Sequence, residues 1–131
     1  MVDALEQARR ILVDRGILID ARPDSRVMAR VRGGSPRGRV IGRLDTQRDT
    51  KTDDQLSDRA VRLVLRRGLF RSRRKGRMWH AIPFADRAEL QDYLVDHLRF
   101  SHRVRWLVPP ARRDGRLFIE RAVRFEVLER R

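Results

Sequence analysis

The chain has 131 residues, 40% hydrophobic and 38% charged, a size and balance suited to one folded domain with a real core. Lys and Arg number 32 against 18 Asp and Glu, a formal charge of +14 at pH 7. There is no cysteine, which excludes disulfides, thiolate metal sites and cysteine nucleophiles. No apolar run has the length of a signal peptide or a membrane span, so a cytoplasmic protein without membrane contact is expected.

The first predicted element is a helix over residues 3–15. Asp3 and Glu6 have the spacing of a capping box, Leu5, Ala8, Ile11 and Leu12 form an apolar stripe, and Gly16 is placed to close it in a left-handed conformation. Ile17–Ile19 reads as a strand and 22–25 as a turn. Val27, Ala29 and Val31 then alternate with Met28, Arg30 and Arg32 as a half-buried strand. The segment "GGSPRG", 33–38, connects it to a strand over 40–44.

Residues 45–55 carry no apolar side chain and read as a solvated loop, the candidate internal boundary in an otherwise single domain spanning 1–131. Thr52 and Gln55 again have capping spacing, ahead of a helix over about 53–67 that Gly68 closes. A short strand at 69–70, a basic turn and a strand over 78–82 follow. Asp86 and Glu89 cap a third helix, 87–99, with Leu90, Tyr93, Leu94 and Leu98 as its stripe. Val104, Trp106 and Val108 alternate as a strand, and 117–127 is strand-like throughout, as one long strand or two joined by a bulge near Glu120–Arg121.

A similarity recurs along this series. "ARRILVDRGILI" from Ala8 aligns with "AVRLVLRRGLFR" from Ala60, and the basic segments "RRKGRMW", 73–79, and "RRDGRLF", 112–118, share a pattern. True duplication and repeated use of a helix–Gly–strand junction both produce it. The expected fold is α+β: an antiparallel sheet built from about three helix–hairpin (α-β-β) units, with the helices on one face.

The charge surplus opposes compaction by self-repulsion, and a polyanion relieves it. Residues 71–77 hold five basic residues in seven and no acid. As a hairpin tip they present Arg73, Arg74, Lys75 and Arg77, with Gly76 supplying positive φ; arginine grips phosphate bidentately. The first hairpin region offers Arg26, Arg30, Arg32, Arg37, Arg39 and Arg43, and the third basic segment Arg112, Arg113 and Arg116. Trp79 and Trp106 read first as core-packing residues, Trp106 sharing the buried parity of Val104 and Val108; as candidates for base stacking, Trp79 is the better for its place beside the basic run. Arginine-rich tips are also common simply because they are wet.

The stretch "RAVRLVLRRGLFRSRRKGRMWHAI", 59–82, resembles the last helix and wing of a winged-helix DNA-binding domain. The polar segment 45–55 and the strands over 17–44 depart from that family, and no site residue is carried over from it.

His80, His97 and His102 do not have metal-ligand spacing. His80 is the one candidate general base, as in a small basic ribonuclease. No phosphate-cradling glycine loop and no carboxylate cluster are present, so no metal or cofactor is expected. The leading expectation is a non-enzymatic protein that binds DNA or RNA through arginine-rich β-hairpins: Arg73, Arg74, Lys75, Arg77 and Trp79 first, then Arg32, Arg37 and Arg39, then Arg112, Arg113 and Arg116. The alternatives are a subunit of a larger assembly, a ribonucleoprotein or virion connector with acidic neighbours, and a small ribonuclease using His80.

Overall fold

The computed structural model describes residues 1–44, 47–97, 104–109 and 115–131, with the side chains of 47–51 left aside. In chain order it contains α1 (Val2–Ile11), β1 (Ile17–Pro23), β2 (Ala29–Gly33), β3 (Val40–Leu44), α2 (Gln47–Arg66), β4 (Phe70–Phe84), α3 (Arg87–His97), β5 (Arg105–Trp106) and β6 (Leu117–Arg130). The fold is α+β, with three helices among the described residues and one six-stranded antiparallel sheet of order β1-β6-β2-β3-β5, in which β4 also pairs with β6.

The pairings do not reproduce three helix–hairpin units. β1 does not pair with β2: each is antiparallel to β6, β1 over Val123–Glu129 and β2 over Leu117–Glu120. The connection between them is therefore not a hairpin turn. β2 and β3 do form a hairpin, around "GGSPRG". Residues 70–84 form a single strand, so the expected basic turn at 73–77 and the wing of a winged helix are both absent there. β6 is likewise one continuous strand.

The chain divides into two compact units, the first comprising 1–24, 51–78 and 123–131, the second 25–50 and 79–122. In the first unit Leu5, Ala60, Val61, Val64, Phe70 and Leu128 form the core, with Val2, Leu12, Leu18, Leu65 and Leu69 packed against it. α1 stops at Ile11 because Leu12 turns to extended geometry. The left-handed residue is Arg15, φ 62°, rather than Gly16. Gly16 has a different job: a Cβ there would lie 2.8 Å from the Val13 carbonyl oxygen. α2 starts at Gln47, where a loop was expected to continue to 55. Between 45 and 67 there is no Gly or Pro to break a helix. Thr52 and Gln55 are thus interior helix residues, and Gly68 does take the left-handed C-terminal conformation, φ 69°.

In the second unit Ala29, Val31, Leu44, Phe84, Leu90, Leu94, Leu117 and Ile119 form the core, lined further by Ile41, Ile82, Tyr93, Val104 and Trp106. α3 supplies Leu90 and Leu94. Its start is capped as expected: Asp86 accepts from the Glu89 N–H at 3.0 Å, and the Glu89 carboxylate accepts from the Ala85 N–H.

Candidate functional site

In β2, Ala29 and Val31 are buried at 2% and 0% exposure and face the core of the second unit. Strand alternation puts Arg30 and Arg32 on the opposite face. Residues directly opposite in an antiparallel pair share a face, so the register carries that face across the sheet. Arg30 is opposite Glu120 on β6 and opposite Arg43 on β3, and Arg43 is opposite Arg105 on β5. Glu120, Arg30, Arg43 and Arg105 therefore form one row running across four neighbouring strands.

The row is anchored at one end only. Glu120 is 6% exposed and accepts 2.6 Å hydrogen bonds from Nε of both Arg30 and Arg32. Burial alone would push its carboxyl pKa up. The hydrogen bonds from Arg32 and Arg30, and the charges of both, outweigh that and hold it below the ordinary glutamate value. The Arg30 guanidinium also lies over the Trp79 ring, 3.7 Å from its centroid. Arg32 spends a second donor on the Gly38 carbonyl, at 2.6 Å, which braces the hairpin loop. At the other end, Arg43 and Arg105 are exposed and have no carboxylate partner among the described residues.

A glycine brings Arg105 into the row. A Cβ on Gly42 would come within 2.5 Å of Val104 Cγ1 and 3.3 Å of Trp106 Cε3, so β5 can lie against β3 only where no side chain intervenes. The far side of Trp106 is closed by the Arg87 guanidinium, 3.8 Å from the ring centroid. Trp106 thus packs against the core, while its neighbour Arg105 points to the arginine face.

The β2–β3 loop gathers a second group. Gly34 takes φ +81°, its N–H donates to the Arg116 carbonyl at 2.8 Å, and the Gly33 N–H donates to the Arg39 carbonyl at 3.1 Å. Arg37, Arg39 and Arg116, distant in sequence, are brought to one end of the sheet. All three are exposed, and none has a carboxylate partner among the described residues.

The expected leading cluster is placed differently. Arg73 pairs with Glu129 at 2.5 Å, Lys75 with Glu126 at 3.1 Å, and Arg77 gives both Nη2 (2.7 Å) and Nε (2.9 Å) to one oxygen of Asp24. Arg74 has no carboxylate partner among the described residues and stands 6.0 Å from the Phe125 ring centroid. Gly76 is not there for positive φ: a Cβ would sit 2.6 Å from Phe125 Cζ. Three of the five cations in the basic run are thus met by acids from elsewhere in the first unit, and the run lies on a strand and not a tip.

His80 is exposed on β4 and forms no hydrogen bond or ion pair among the described residues. The His97 ring stacks on Tyr93 with centroids 4.5 Å apart, and its Nδ1 lies 3.3 Å from the Tyr93 carbonyl. Among the described residues no three His, Asp or Glu side chains gather as a metal site, and no helix is long and apolar enough to cross a membrane. Arg112, Arg113 and His102 lie outside the described residues.

Sequence reasoning missed Arg105 and the anchor Glu120. The alternation of Val104, Trp106 and Val108 does leave Arg105 on the outer face, but only the pairing with β3 shows what it stands beside. Comparison with protein-family models, with curated proteins and with solved structures returned no match.

Proposed function

We propose that the protein binds nucleic acid without catalysing a reaction on it, using the arginine row of the second unit and the adjoining loop. The observation that carries this reading is Arg43 set directly between Arg30 and Arg105, with one buried carboxylate at the far end of the row. Like charges directly opposite one another destabilise a sheet. A phosphate backbone laid along the row turns that repulsion into attraction and releases counterions. Arg37, Arg39 and Arg116 extend the same cationic character to the loop. Contacts of this kind go to phosphates, which position a ligand but carry little sequence information. Arg73, Lys75 and Arg77 rank second here, because using them means breaking existing ion pairs.

The test is equilibrium binding of the wild-type protein to DNA and RNA over a salt series. The proposal expects affinity to fall steeply with salt and to vary little with sequence. Absence of binding at low salt would overturn it.

A second reading, a subunit of a larger assembly, rests on a separate observation. Ile11, Val13, Ile17 and Ile19 of the first unit are 85%, 75%, 49% and 63% exposed, large apolar side chains that a neighbouring subunit would cover. Sizing chromatography in high salt separates the readings: a stable oligomer supports assembly, a monomer opposes it.

A further inference from the structure

We infer that the nucleic acid taken by the arginine face is single-stranded, crossing the strands of the second unit with a base stacked on Trp79; this rests on the reading proposed above. The shape of the face is the first reason. The row spans β6, β2, β3 and β5, three inter-strand steps or about 14 Å of backbone before side chains are added. The major groove of duplex DNA is about 12 Å wide and admits a helix or a two-stranded ribbon. Among the described residues no such free ribbon projects from the β2–β3 pair, because β6 stays hydrogen-bonded alongside β2 as far as Gly34. A face four strands wide suits a flexible backbone lying across it.

Trp79 is the second reason. Its ring is held on one side by Arg30, which is itself fixed by Glu120, and the residue keeps 38% of its surface exposed. A large aromatic in that setting, beside a row of cations, is a platform for the open face of an unpaired base. In a duplex the bases are stacked on one another and offer no such face. Arg30 then acts as a positioning residue for the ring, while Arg43 and Arg105 remain available to successive phosphates.

The experiment uses the full chain carrying Trp106→Phe. Only two tryptophans are present, so Trp79 becomes the sole indole reporter. Single-stranded DNA, single-stranded RNA and the matching duplexes are titrated into it, following both affinity and Trp emission. Either single strand should quench the emission and bind about tenfold more tightly than its duplex. In the wild-type background Trp79→Ala should lose roughly tenfold in single-strand affinity, Trp79→Phe should retain most of it, and duplex affinity should change little in either. Equal affinity for duplex and single strand would overturn the inference, as would unquenched Trp79 emission on saturation, and both leave the broader proposal standing. Failure of the wild type to bind any nucleic acid would remove the broader proposal itself.

Discussion

Arg43 lies directly opposite Arg105 on the β3–β5 pair and directly opposite Arg30 on the β2–β3 pair. A sheet gains nothing in stability from three guanidinium groups in register. If the row serves an anion, relieving it should stabilise the free protein. Arg105→Thr should raise stability by about 0.2–1 kcal/mol, visible as a melting temperature higher by a few degrees at low salt. A polyphosphate should raise the wild-type melting temperature more than that of the variant.

Glu120 is the counterweight. Glu120→Gln keeps the shape but removes the negative charge between Arg30 and Arg32, whose side chains are 29% and 19% exposed. The cost should be about 2–4 kcal/mol, measured by urea unfolding. Trp79 emission should shift as well, since Arg30 loses its anchor.

Acid should expose the same dependence. In the first unit Asp58 accepts from Arg124 at 2.9 Å and lies 3.3 Å from Arg22. Burial pushes its carboxyl up, but the Arg124 hydrogen bond and the charges of Arg124, Arg22 and Arg62 hold it below the ordinary aspartate value. Glu120 is lowered for like reasons. A carboxyl with a depressed folded-state pKa stabilises fully above its unfolded value, about pH 4. That contribution disappears as pH falls from there through the folded value. Stability should therefore hold down to about pH 5 and drop below pH 4. Asp58→Asn and Glu120→Gln should each be less stable at neutral pH and show a shallower acid limb; limbs parallel to wild type would contradict these assignments.

The β4 cations should behave as structural groups. Arg77→Ala removes two hydrogen bonds accepted by Asp24, whose side chain is 1% exposed. It should cost about 1–2 kcal/mol of stability while changing nucleic-acid affinity less than Arg43→Ala does. A larger loss of affinity for Arg77→Ala would return the site to β4.

Much of this was legible in the sequence. Alternation in β2 separates Val31 from Arg30 and Arg32, "GGSPRG" marks the one hairpin it connects, and Asp86 with Glu89 announces α3. The basic run 71–77 was misleading because composition records charge and not partners: Glu126, Glu129 and Asp24 arrive from distant segments to meet it. Gly76 resembled a turn residue, yet its purpose is to admit the Phe125 ring. The row itself is a property of register. Arg30, Arg43 and Arg105 become neighbours only through strand pairing: the alternation of Val104, Trp106 and Val108 marks a strand around the two-residue β5 but does not say which strand it lies beside.

The most direct measurement is the slope of log affinity against log salt for wild type and for the Arg43→Ala/Arg105→Ala double variant. Each lost phosphate contact should remove about 0.7–0.9 from the slope, so the account predicts a line shallower by between 1 and 2 and weaker binding across sequences, as an order-of-magnitude expectation. Two parallel lines of equal affinity would contradict it.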